Sequence, residues 1–146
     1  MDPYERALPA LPLLETLGRT RFEQIFGGVT PGTSLDRLRV YLTVPSPEAE
    51  QAMAAVFDGQ IEFRSTGRTE AERNRLHAQI TAERDQLAAA GIELIRWGPD
   101  VETGNEQVGV LHLTDEKRAV LLEAFGPWLD LYNLDDYGQL FGGSTS

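Results

Sequence analysis

His77 and His112 are the only histidines in this chain, and neither stands in an HxH or HExxH spacing. Imidazole ligation of a metal needs several converging ligands, so both read as surface or hydrogen-bonded histidines. Serine, histidine and aspartate all occur, but no serine lies in a Gly-x-Ser-x-Gly elbow. Ser46 reads as a helix cap, Ser34 and Ser65 as turn residues, and Ser144 and Ser146 as tail. Carboxylates come in pairs: Asp100 with Glu102, Asp115 with Glu116, Asp135 with Asp136. Asp115 and Glu116 suit the first turn of a helix, where the macrodipole favours negative charge. Asp100-Val-Glu-Thr-Gly-Asn-Glu has the look of a calcium loop. It lacks the alternating ligands and the closing bidentate Glu, and reads as a hairpin turn.

One basic cluster stands out, Arg64, Arg68 and Arg73, with Arg75 beyond, around a turn and the start of a helix. Guanidinium groups near a helix N-terminus form a candidate anion site. Glu62, Glu70 and Glu72 lie among them, so local ion pairing is the alternative. Cysteine is absent, which excludes disulfides, thiolate catalysis and sulfur-ligated metals. No metal and no cofactor is expected. The final stretch combines large apolar and acidic residues: Trp128, Leu131, Tyr132, Asp135, Asp136 and Tyr137. Such a segment either packs on its own domain or contacts a partner, and these six are the candidate partner-binding residues.

The elements that hold these residues follow from periodicity. Ala7 to Leu14 is expected to be extended, because Pro9 and Pro12 oppose a helix interior. A short helix follows over 15–24. Phe26 to Val29 reads as a strand and pairs with the alternating strand from Leu38 to Val44. Ser46 caps a helix that has Pro47 at its first position. Gln60 to Ser65 is a further strand. Thr69-Glu-Ala-Glu72 is a capping box that opens a long helix, with Leu76, Ile80 and Leu87 inward and Gly91 as its end. Ile92 to Trp97 and Val108 to Leu113 form a hairpin, and Thr114 caps the last helix. No internal repeat is visible. The expected fold is α+β: one mixed, mostly antiparallel sheet of four to five strands with two or three helices on one face. The expected domains are an N-terminal extension over 1–24, the α+β domain over 25–126, and an acidic apolar segment with a disordered tail over 127–146.

Charge narrows the partners. The net charge is −10, with 13 basic and 23 acidic side chains. Residues 98–146 hold 2 basic and 9 acidic side chains, a net −7 of that −10. Nucleic acid and anionic membrane are repelled by such a surface. No apolar run is long enough to span a bilayer, and the N-terminus lacks the pattern of a signal peptide. The expectation is a soluble cytoplasmic protein, or a secreted one if the chain is a processed fragment.

Phe26-Gly27-Gly28-Val29 followed by Leu38-Arg-Val-Tyr-Leu-Thr43 resembles the start of the pro-region modules of bacterial chymotrypsin-like serine proteases of the alpha-lytic and streptogrisin type. Gly91-Ile-Glu-Leu94 and Pro99-Asp-Val-Glu-Thr-Gly-Asn-Glu-Gln-Val-Gly-Val110 continue the match, over about residues 25–126. The resemblance implies a module that is not an enzyme and that folds with, and inhibits, a protease domain. The sequence therefore reads as a non-catalytic protein-binding module that contacts a protein partner or a second copy. Two alternatives stand beside it: a small-molecule- or anion-binding α+β domain using the Arg64 and Arg68 region, and an acidic immunity or inhibitor protein for a basic enzyme.

Overall fold

The computed structural model describes residues 8–31 and 37–135. Among them the order is α1 (Ala10–Arg21), β1 (Phe26–Pro31), β2 (Arg37–Leu42), α2 (Pro47–Ala54), β3 (Gln60–Ser65), α3 (Glu70–Ala89), β4 (Leu94–Pro99), β5 (Glu106–Val110), α4 (Asp115–Phe125) and β6 (Leu129–Asn133). The α+β class holds, but the single sheet of four to five strands does not. There are two three-stranded mixed sheets, β1-β2-β3 and β4-β5-β6. In each, the first pair is antiparallel and the second parallel. Two successive strands joined by a short turn pair as a hairpin; a strand that returns through a helix pairs in parallel.

Contacts divide the chain into two units. The first is Met1–Glu72 with Val101–Gly104, and the second is Arg73–Asp100 with Asn105–Ser146. This differs from the expected division at residues 24 and 126, because β6 belongs to the second sheet rather than to a separate segment. In the first unit Phe26, Leu38, Val40, Leu42, Ala49, Met53 and Phe57 pack with Leu14 of α1. In the second, Leu76, Ile80 and Leu87 of α3 pack with Leu94, Val108, Val110, Leu121, Phe125 and Leu129.

Local signals act as their chemistry dictates. Ser46 accepts from the Ala49 N–H at 3.2 Å, with Pro47 behind it. Thr69 and Glu72 close the capping box, with Thr69 N donating to Glu72 Oε1 at 3.0 Å and Glu72 N to Thr69 Oγ1 at 3.1 Å. Gly91 has φ +91°, the left-handed geometry that glycine adopts without cost at a helix end. The stretch expected to be extended before residue 15 is instead helical from Ala10. Pro12 is the third helical residue, where the backbone N–H has no intrahelical acceptor to lose.

The two units are built alike. Phe26 pairs with Leu42 and Leu94 with Val110, so both numbers rise by 68, and the same shift carries Pro31↔Leu38 onto Pro99↔Glu106. Leu38↔Ile61 becomes Glu106↔Leu129, and Val40↔Phe63 becomes Val108↔Leu131, again 68 higher. The bulge between Phe26 and Gly28 recurs between Leu94 and Arg96. The N-caps Ser46 and Thr114 and the buried pairs Met53 with Leu121 and Phe57 with Phe125 obey the same offset. A helix-strand-strand-helix-strand unit therefore occurs twice, against the expectation of no repeat.

Candidate functional site

The strongest concentration of polar chemistry lies in the second unit. Leu76 and Ile80 turn the inner face of α3 to the core, and His77 follows Leu76 at the margin of that face. On β5, Glu106, Val108 and Val110 alternate towards the core side. Glu106 is 1% exposed, the one carboxylate among the fully buried side chains of the described residues. Its Oε2 lies 2.6 Å from His77 Nδ1, and its Oε1 has no hydrogen-bond partner among the described residues. A carboxylate on Nδ1 orients the ring and leaves Nε2 as the nitrogen available to a ligand.

His77 also lines an open groove of about 590 Å³ with Thr81, Arg96, Trp97, Gln107 and Tyr132 as its polar and aromatic members. Small-molecule sites have volumes of this order. The Trp97 indole Nε1 donates to Thr81 Oγ1 at 2.9 Å, and Thr81 Oγ1 donates to the His77 carbonyl at 2.9 Å, which holds the tryptophan against α3. The Arg84 guanidinium stands 5.6 Å from the centroid of that ring, within cation–π range. Arg96, Gly109 and Tyr132 are neighbours across the three strands. Gly109 is required there, because a Cβ would come within 2.9 Å of the Tyr132 ring and 2.6 Å of Leu134 Cδ1.

The residues nominated from the sequence are dispersed. Leu131 packs against the core of the second unit, so it supports the sheet rather than the surface. Trp128 and Tyr132 are 40% and 39% exposed. Asp135 lies with His112: His112 Nδ1 is 2.8 Å from Asp135 Oδ1, and Asn133 Nδ2 donates to Asp135 Oδ2 at 2.7 Å. The Asn133 amide, followed by His112, holds the Asp135 carboxyl below the usual aspartate range. Asp136 and Tyr137 lie outside the described residues. His112 sits beyond the end of β5 with φ +53° rather than within the strand.

In the first unit, Arg64 pairs with Glu62, and Arg68 Nη2 lies 3.9 Å from Glu72 Oε2. Glu62 also meets Arg39 Nε at 3.2 Å and Arg37 Nη1 at 3.7 Å. The hydrogen bond from Arg64, with the charges of Arg64, Arg39 and Arg37, holds the Glu62 carboxyl below its usual range. Arg73 is buried on α3 and counts with the second unit. Sequence reasoning missed His77 and Glu106 as a pair. Residues 29 positions apart on a helix and a hairpin strand give no local signal, and Glu106 was read into a turn. Among the described residues, no group of three or more His, Cys, Asp or Glu side chains is placed to hold a metal ion.

No family model matches this chain, and no curated protein matches it. No helix among the described residues is long and apolar enough to cross a membrane.

Proposed function

We propose that this chain is a non-catalytic protein-binding module that takes up an extended, basic segment of a partner along β6. The observation that carries the reading is the position of β6 as an edge strand among the described residues, with exposed Trp128 beside it and Tyr132 on it. Glu106 N donates to the Trp128 carbonyl and Leu134 N to the Val110 carbonyl, both on the inner side of the parallel ladder. Alternation then places the amides of Leu129, Leu131 and Asn133 on the outer edge, where an added strand finds donors. Acidic residues predominate over 98–146, which favours a basic partner and speeds its encounter at low salt.

The specific form of this proposal is a pro-region-like inhibitor or folding module for a chymotrypsin-like bacterial protease. The motifs that carry that resemblance fall on the two antiparallel hairpins, β1-β2 and β4-β5. Titration of a streptogrisin-type protease with this chain tests it, read both as peptide hydrolysis and as amide exchange. Inhibition with new protection at the Leu131 and Asn133 amides is expected. Inhibition without that protection removes the strand-addition mode, and no inhibition removes the protease as partner.

A further inference from the structure

The repeat supplies a control for one edge of a sheet. In the first unit, β3 carries Glu62 and Arg64 on the face turned away from the core, beside Arg39 and Tyr41 of β2. Glu62 there meets three guanidinium groups, those of Arg37, Arg39 and Arg64. The offset of 68 carries Glu62 onto Asp130, Arg37 onto Asn105, Arg39 onto Gln107 and Arg64 onto Tyr132. The carboxylate is kept, and each of its three cations is replaced by a neutral side chain.

Little engages Asp130 in their place. Asn105 Nδ2 donates to its Oδ1 at 3.1 Å. Gln107, directly across the ladder, donates instead to Asp100 Oδ2 at 3.4 Å. Asp130 is exposed and makes no ion pair among the described residues. Both β3 and β6 are edge strands of their sheets. The first unit thus neutralises its edge carboxylate from within, whereas the second leaves it to whatever strand is added. A charge on a strand edge repels an apolar or like-charged strand and admits one of opposite sign.

We propose that the strand taken up along β6 reads basic–apolar–basic, with one cation opposite Asp130 and an arginine opposite Tyr132. The inference rests on the reading of β6 as the partner edge and names the chemistry of the segment that it receives.

The register follows from the backbone. Leu129, Leu131 and Asn133 turn their amides and carbonyls to the outer edge, since the alternate residues bond to β5. An antiparallel guest exchanges hydrogen bonds with those three and sets its intervening residues directly opposite Asp130 and Tyr132. These are the pairs in which side chains stand closest. Two guest residues, two positions apart, therefore share the face of Asp130 and Tyr132. The residue between them turns to the other face, beside Leu131, which packs against the core. An apolar side chain suits that place.

Tyr132 selects for reach. A Cβ on Gly109 would stand 2.9 Å from Tyr132 Cζ, so the ring leans over β5 and away from the free edge. No cation of the described residues lies over this ring, which belongs to a residue 39% exposed. An arginine is long enough to cross to it, and its planar guanidinium stacks on an aromatic face.

The experiment is NMR titration of the isotope-labelled full chain with three capped peptides, each to millimolar concentration: Thr-Arg-Val-Arg-Thr, Thr-Arg-Arg-Val-Thr and Thr-Glu-Val-Glu-Thr. The first is expected to bind and to move the Leu131 and Asn133 amide resonances. The second has the same composition but sets its arginines on opposite faces. It should bind about three- to fivefold more weakly, the worth of one cross-strand pair. The third should not bind. Asp130→Asn should weaken the first peptide by a similar factor, about three- to fivefold. Asp130→Arg should reverse the order, so that the glutamate peptide binds more tightly than the arginine peptide. Asp130 is exposed, so both variants keep the core of the second unit intact. Equal binding of the first two peptides, with the β6 amides moved, would overturn the pattern while leaving strand addition in place. Full affinity of Asp130→Asn for the first peptide, or an unchanged order in Asp130→Arg, would overturn it too. If no peptide moves the β6 amides, strand addition along β6 fails and this inference fails with it.

Discussion

Glu62 gathers three cations, with Arg37, Arg39 and Arg64 all within ion-pair distance. Its carboxyl is held below the usual range, first by the Arg64 hydrogen bond. A carboxyl whose folded value is depressed stabilises the fold above its unfolded value, about pH 4, and loses that contribution as pH falls through the folded value. The denaturant midpoint of the wild type is therefore expected to fall on acidification below about pH 4. Glu62→Gln should flatten that dependence while lowering the midpoint at pH 7. Equal acid slopes in the two proteins would show that Glu62 does not govern it. Asp135 contributes with the same sign in the second unit, through Asn133 first and then His112. These pairings were partly legible: the glutamates among the arginines at 62–75 announced local ion pairs, and Glu62 with Arg64 is one. The pairing of His77 with Glu106 was not, because it depends on which face of a helix meets which strand.

At the level of elements, the caps and the buried helix stripe carry the fold. Replacing Thr69 by Ala removes one side of the capping box and should cost about 1 kcal/mol. Ile80 is 1% exposed in the second core, and Ile80→Ala should cost about 2–5 kcal/mol in denaturant unfolding. A loss below about 0.5 kcal/mol would mean that the site collapses around the smaller side chain. β6 gives a sharper test. Leu129 and Leu131 turn to the core, and a chain ending at Gly126 would uncover Val108 and one side of β5. Such a truncation should abolish cooperative unfolding of the second unit, seen as the loss of slow-exchanging amides on β5. Persistence of those amides would show β6 to be dispensable. The alternation Leu129-Asp-Leu-Tyr-Asn133 is a strand signal of period two. Pro127 before it, Asp130 within it and Asp135 and Asp136 beyond it drew the sequence reading towards a separate amphipathic segment instead.

Across the whole chain, the repeat was the largest feature hidden from the sequence. Between 26–65 and 94–133 the matching identities are Pro31 with Pro99, Val40 with Val108, Glu48 with Glu116, and Phe57 with Phe125. Packing asks only for apolar volume at the right places, so Met53 and Leu121 serve equally, as do Phe26 and Leu94. What the two copies share is spacing. Each hairpin, helix and return strand was recognisable alone, but the number of sheets depends on which strands pair across α3, and no local pattern records that.

The offset has a kinetic consequence. No strand pairing in either sheet joins residues more than 23 positions apart, as between Leu38 and Ile61 or Glu106 and Leu129. Closing such short loops costs little chain entropy, which favours rapid folding of each unit. The hazard of two like-built neighbours is exchange, in which a strand of one copy pairs into the sheet of the other in the same register. Divergence guards against it: β5 in the place of β2 would carry the Glu106 carboxyl beneath α1 and α2, far in sequence from the histidine that receives it. A swapped β5 would thus bury a carboxylate away from His77, a penalty that favours the native pairing.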